Sequence, residues 1–294
     1  MVKEIYAKTI LNKHKRRDSW FLDDYSLNPY QLCQFNCIYC YIRGSKYREN
    51  MAGQLSVKVN APQLLEKEIR RRALKREYGF IALSSSTEPW QPIEAEYRIT
   101  RKCLEIISKY RFPVHCLTKS KMILEDLDLL KEIDGKAVLP GDLRWIKHGV
   151  LVTFSLSSLN DKVAKIFEPD APKPRERLDA LCKVKEEGLY AGIAYIPVLP
   201  FISDSMEKLE EMIKTAKDCN AEYVFVGALT LLGPCKKFYY KILEKHFPHL
   251  LPRYTKLFRM FNQPSREYQL RLEKEAIRLC KKYNVKFMIT GGLS

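Results

Sequence analysis

No stretch of this 294-residue chain is apolar for long enough to cross a bilayer. The longest such run, AGIAYIPVLPFI, has about twelve residues and two prolines, against the ~20 that a spanning helix needs. The opening residues, MVKEIYAKTILNKHKRRDSW, hold no continuous apolar segment and no small-residue cleavage site. The expectation is a cytoplasmic protein with no membrane partner. A disulfide framework is also missing: nine cysteines is an odd count, and only three are closely spaced. Four of the six others, Cys103, Cys116, Cys182, Cys219, Cys235 and Cys280, fall within helical apolar patterns. Cys219, for example, continues Leu209, Met212, Ile213 and Ala216, which reads as core packing. Acidic charge is in deficit as well, with 35 Asp and Glu against 51 Lys and Arg, a net +16. Heat adaptation raises both signs together and does not produce that excess. A polyanion partner does, which points to nucleic acid or a nucleotide-like substrate; solvated helix faces are the bland reading. The basic residues gather in KHKRR (13–17), RRRALKR (70–76) and CKKYNVK (280–286).

What is present suffices for a full core. Hydrophobic residues make up 46% of the chain, and the length suits one large α/β domain or two small ones. Helix and strand patterns alternate. Helices are expected over 61–78, 94–111, 123–133, 173–187 and 205–219, and strands at FIALSSST, PVHCLTKS, VLVTFSLSS, LYAGIAYIPVLP and YVFVGALTL. With a strand just before the closely spaced cysteines, this makes six βα units. Such units predict a parallel sheet and an open, partial (β/α)6 TIM-like barrel over 1–232. The pattern changes after Leu232, and 233–294 reads as a mostly helical C-terminal extension that ends in a short strand, VKFMI. Within VTFSLSS, Val152, Phe154 and Leu156 share one face and Thr153, Ser155 and Ser157 the other. An apolar outer face leaves a hydroxyl-lined lumen, where a purely structural lumen would hold Val, Ile and Leu.

NPYQLCQFNCIYCYIRGS packs Cys33, Cys37 and Cys40 into eight residues. Thiolates suit iron–sulfur clusters, zinc and copper(I). Structural zinc usually takes two separated pairs of ligands; here there is one triplet and no second pair. His14 or His115 would complete a zinc site only without informative spacing. Three thiolates hold three irons of a cubane and leave the fourth iron open to a small molecule.

The spacing C-x3-C-x2-C, with an aromatic before the last cysteine, resembles the radical S-adenosylmethionine superfamily. The resemblance implies a [4Fe–4S] cluster on Cys33, Cys37 and Cys40, with S-adenosylmethionine on the open iron and Tyr39 against its adenine. It also implies reductive cleavage to a 5′-deoxyadenosyl radical, driven by a ferredoxin- or flavodoxin-like electron donor. Further segments, STEPWQPIEAEYR, LTKS, VTFSLSS, FEPDAPKPRERLDAL and GIAYIPVLPFISD, look like the spore photoproduct lyase-related group over about residues 5 to 232.

By that resemblance, Ser85, Ser86, Thr87 and Glu88 take the place of the segment that binds the cofactor's amino group. Lys119 then suits its carboxylate, Ser155 and Ser157 its carboxylate or ribose, and Ile196, Pro197 and Val198 its adenine. The group's hydrogen-donating cysteine on the second strand is replaced here by serine, at Ser84. An O–H bond is too strong for that donation, so thymine-dimer repair is not the expected reaction. Cys235, after the last barrel strand, is the candidate replacement thiol; a loop cysteine with no role is the bland reading. Arg175 and Arg177 either meet phosphate or carboxylate bidentately, or pair with Glu168 and Glu176 to hold their loop. The expected substrate is DNA or RNA, with a peptide or small metabolite as the alternative. A nucleic-acid-binding module stabilised by zinc is the reading from another class.

Overall fold

The computed structural model describes residues 2–44 and 54–291. The chain begins with four short strands, β1 (Lys3–Ile5), β2 (Leu11–Lys13), β3 (Asp23–Leu27) and β4 (Tyr30–Gln31). After the cysteine segment come β5 (Ser56–Lys58), α1 (Ala61–Leu74), β6 (Phe80–Leu83), α2 (Glu94–Tyr97), α3 (Ile99–Lys109) and β7 (Val114–Thr118). Next are α4 (Leu127–Lys136), β8 (Val150–Leu156), α5 (Asp161–Phe167), α6 (Pro174–Glu186), β9 (Tyr190–Val198), α7 (Met206–Asp218) and β10 (Tyr223–Ala228). The remainder is α8 (Pro234–His246), α9 (Leu251–Leu257), α10 (Arg266–Tyr283) and β11 (Lys286–Phe287). No helix among the described residues is long and apolar enough to cross a membrane.

The chain divides into two compact units. The first comprises Met1–Gln34, Ala52–Phe154 and Asp179–Ala191; the second comprises Phe35–Met51, Ser155–Leu178 and Gly192–Ser294. In the first, the strand order is β2-β3-β6-β7-β8. Strands β3, β6, β7 and β8 run parallel, and β2 lies antiparallel on the edge, with Leu11 opposite Leu27. A small sheet of order β1-β5-β4 accompanies it. Helix α1 buries Ala61, Leu65 and Ile69, spaced by four, and starts with a proline in its first turn. It packs on α3, which packs on α4. The single helix expected over 94–111 is two, because Arg98 adopts a left-handed conformation at φ 51°. Residues 123–133 likewise form a 3-10 turn leading into α4.

Every residue of β8 is buried, as expected for a parallel strand covered on both faces. Thr153 points away from the outer apolar face and meets His115, whose Nε2 lies 2.7 Å from Thr153 Oγ1. His115 Nδ1 lies 3.0 Å from the Phe21 carbonyl oxygen and 3.3 Å from Asp23 Oδ1. Burial raises the pKa of Asp23, and His115 opposes that rise.

In the second unit β9, β10 and β11 run parallel. Gly192 sits where a Cβ would come within 2.4 Å of the Tyr223 carbonyl oxygen. Helix α7 is capped by Ser205, whose hydroxyl accepts the Lys208 N–H at 3.3 Å, and it buries Leu209, Met212, Ile213 and Ala216. Helix α10 packs on α7 and β10. A buried aromatic layer joins Phe167, Tyr239, Tyr254 and Phe258, and the Tyr254 hydroxyl donates to the Pro200 carbonyl at 2.6 Å. Cys103, Cys116, Cys235 and Cys280 are buried and not disulfide-bonded. Cys182 and Cys219 depart from the expectation of free core cysteines: both are disulfide-bonded.

Candidate functional site

In the first unit the expected cofactor segment lies at the C-terminal end of β6. The strand stops at Leu83 because Ser84 takes a left-handed conformation, φ 56°, and the chain turns. Thr87 N–H closes the turn on the Ser84 carbonyl at 3.2 Å. Asn28, just past β3, straps it down. Its Oδ1 accepts the Ser86 N–H at 3.0 Å and the Ser86 hydroxyl at 2.8 Å, and its amide donates to Ser85 Oγ at 3.3 Å. Two hydroxyls here, Ser84 Oγ and Thr87 Oγ1, are buried and have no hydrogen-bond partner among the described residues. A buried unsatisfied hydroxyl is costly, and it marks a place where a bound polar group fits.

Glu88 is buried and already occupied. Its carboxylate accepts the Thr118 hydroxyl, the Lys119 N–H at 2.9 Å and the Trp90 N–H at 3.2 Å. Burial raises its pKa, and these hydrogen bonds pull it back. The structure thus brings Glu88 and Lys119 together through the Lys119 backbone. Cys33 is partly exposed, and the next residue, Gln34, is fixed on both sides. Its N–H donates to Gln91 Oε1 at 3.0 Å, and its own Oε1 accepts the Ile93 N–H at 2.8 Å.

In the second unit Cys37 and Cys40 share one turn, with the Cys40 N–H on the Cys37 carbonyl at 3.2 Å. Both thiols are outside any disulfide and partly exposed. The turn is held by the α5–α6 connection: Ile38 N–H donates to the Phe167 carbonyl at 2.8 Å, and Asn36 Nδ2 to Asp170 at 2.8 Å. Tyr39 is buried and its hydroxyl donates to Glu168. Burial and then the Glu168 charge hold its phenol well above the ordinary range. Glu168 also accepts the Ser157 hydroxyl at 2.9 Å and pairs with the buried Arg177 guanidinium. Burial works against the Arg177 charge, but Glu168 outweighs it and raises the pKa. Arg177 further donates to the Ser155 carbonyl at 3.0 Å and to the Pro172 carbonyl.

Of the two expectations for these arginines, Arg177 follows the one that holds the loop; Arg175 is exposed. The side chain of Ser155 donates to the Ile196 carbonyl at 3.3 Å, which ties it to the expected adenine segment Ile196, Pro197 and Val198 at the end of β9. Cys235 is fully buried in the aromatic layer, and its thiol donates to the Ile38 carbonyl at 3.4 Å. The sequence reading missed Asn28, whose carboxamide carries no periodic signal. It also did not join Glu168 to Tyr39, because 129 residues separate them.

Among the described residues no three His, Cys, Asp or Glu side chains stand together as a preassembled metal site. Three partly exposed thiols within eight residues, none in a disulfide, are nevertheless of the donor type that an iron–sulfur cluster takes.

A profile of the Radical SAM superfamily matches residues 27–216. An uncharacterized protein of Mycobacterium tuberculosis strain H37Rv is 27% identical over 288 residues, covering 96% of this chain and 81% of its own length. A "Radical SAM Nalpha-GlyT isomerase" of Pseudomonas phage M6 is 23% identical, over 77% of this chain and 43% of its own length. A spore photoproduct lyase variant, solved with S-adenosylmethionine and dinucleoside spore photoproduct, superposes with a TM-score of 0.68 at 18% identity, over 96% of this chain and 78% of its own. That likeness shows the fold, the α/β arrangement of a partial TIM-like barrel with a mostly parallel sheet.

Proposed function

The chain belongs to the radical SAM superfamily, and from that premise we propose an enzyme that holds a [4Fe–4S] cluster on Cys33, Cys37 and Cys40, binds S-adenosylmethionine, and acts on DNA or RNA. When bound, cluster and cofactor supply the one-electron cleavage that yields a hydrogen-abstracting 5′-deoxyadenosyl radical. The protein's part is to bind, orient and exclude water. The observation that carries the reading is the closely spaced thiol triplet, outside any disulfide, lying inside the matched span.

Ser84 and Thr87 offer unsatisfied buried hydroxyls to the cofactor's polar end. Ser85, Ser86 and Lys119 border that turn. Glu88, occupied by its own neighbours, fixes the segment. Tyr39, anchored through its hydroxyl, presents a ring of fixed orientation to the adenine. Ser155 orients the strand end at Ile196, Pro197 and Val198, and Ser157 holds Glu168. A hydrogen-donating role for Cys235 requires its thiol to leave the Ile38 carbonyl. Residues 1–232 form the core in this reading, and 233–294 shape access for the substrate. A ferredoxin- or flavodoxin-like protein of the cytoplasm supplies the electron.

Two facts support nucleic acid as the substrate class: the excess of sixteen positive charges and the fold likeness to a protein solved with a dinucleoside. The test is anaerobic reconstitution with iron and sulfide, dithionite reduction, and chromatography for 5′-deoxyadenosine. Product from the wild type that is lost in Cys37→Ala is the expected outcome. A colourless protein, or a cluster that never cleaves the cofactor, overturns it in favour of a metal-stabilised binding module.

A further inference from the structure

Two basic runs far apart in sequence face a single groove in the first unit. KHKRR contributes Lys13 on the edge strand β2, and RRRALKR contributes Arg71, Arg72 and Lys75 along α1. The groove has a volume of about 540 Å³. The acid that lines it is already committed. Glu68 accepts the backbone N–H groups of Ile10 and Leu11, at 3.1 and 2.7 Å. Glu77 is shared by Lys13, at 3.1 Å, and Arg72, at 2.6 Å. Arg71 and Lys75 stand one helical turn apart, about 6 Å along the axis, exposed, with no ion pair among the described residues.

We infer that this groove docks the phosphodiester backbone of duplex DNA. Two cations on one helix face, beside a cation on a strand edge, form an electrostatic track for successive phosphates. Among the described residues no aromatic ring lines the groove. Single strands are held by stacking bases on aromatic side chains, so the lining suits a duplex whose bases stay paired. That the partner is a nucleic acid rests on the reading above; the docking itself does not need the radical chemistry.

The test is fluorescence anisotropy of a short labelled DNA duplex across a KCl series. Wild type is expected to bind. The double variant R71E/K75E should bind at least ~10-fold more weakly at moderate salt and flatten the slope of log affinity against log salt by about 2. The matched reversal K214E/K217E, on exposed positions of α7, should bind as wild type does. Unchanged melting temperatures show that the variants are folded; R71Q/K75Q, with the same expected direction, serves if the reversal unfolds the chain. Wild-type affinity in R71E/K75E, an equal loss in K214E/K217E, or preference for duplex RNA each overturn the inference. Formation of 5′-deoxyadenosine without nucleic acid should be the same in R71E/K75E as in wild type. Failure of the radical reading therefore shows separately from failure of the groove.

Discussion

Ser84 combines two costs in one residue. Its left-handed backbone is unfavourable for a side chain with a Cβ, and its buried hydroxyl finds no partner. Replacing it with alanine keeps the first cost and removes the second. Ser84→Ala should therefore stabilise the cofactor-free protein by about 1 kcal/mol and weaken S-adenosylmethionine binding, read by thermal melting and calorimetry on the reconstituted protein. A variant that melts lower and binds the cofactor as before would sink the assignment. The three thiols were legible in the sequence because their spacing is itself the signal. Lys119 and Glu88 were found as residues, but not as partners: the backbone of one meets the carboxylate of the other only after β6 and β7 have paired. Ser84 was noted for the cysteine it replaces, while the sequence carries no sign that its hydroxyl is unsatisfied.

The α5–α6 connection holds the cysteine turn through Phe167, Asp170 and the buried Glu168–Arg177 pair. Removing one partner of such a pair leaves an uncompensated buried charge, at a cost of about 3–5 kcal/mol. Arg177→Ala should lower the unfolding free energy, read from urea denaturation, by that margin. Glu168→Gln combined with Arg177→Met should recover most of it, since the charge leaves with its partner. Equal losses in both variants would mean that packing, not charge, holds the connection. Long helices such as α1 and α7 were legible because an apolar residue recurs every turn. Strands β1, β2 and β5 were not, since three residues are too few to show alternation. Helix α5 escaped for the same reason: its seven residues bury only Ala164 and Phe167. The break at Arg98 has no glycine or proline to announce it.

Across the whole chain, sixteen uncompensated positive charges repel one another in the folded state. Raising KCl screens that repulsion over about a Debye length, near 10 Å at 0.1 M. The melting temperature at neutral pH should therefore rise by a few degrees between low and high salt. A fall would show that the surface ion pairs, such as Lys13 with Glu77, outweigh the repulsion. The barrel was legible from the alternation of elements; the two-unit division was not, because each unit is assembled from three separate segments of chain. That interleaving sets a timetable for synthesis. Tyr39 waits 129 residues for Glu168, and Ile38 waits 197 for Cys235. At ~5–20 residues per second the longer wait lasts roughly 10–40 s. Cys37 and Cys40 thus leave the ribosome long before the groups that hold their turn have been made. Under the cluster reading proposed above, metal delivered in that interval would meet a loop whose holding partners have not yet been made.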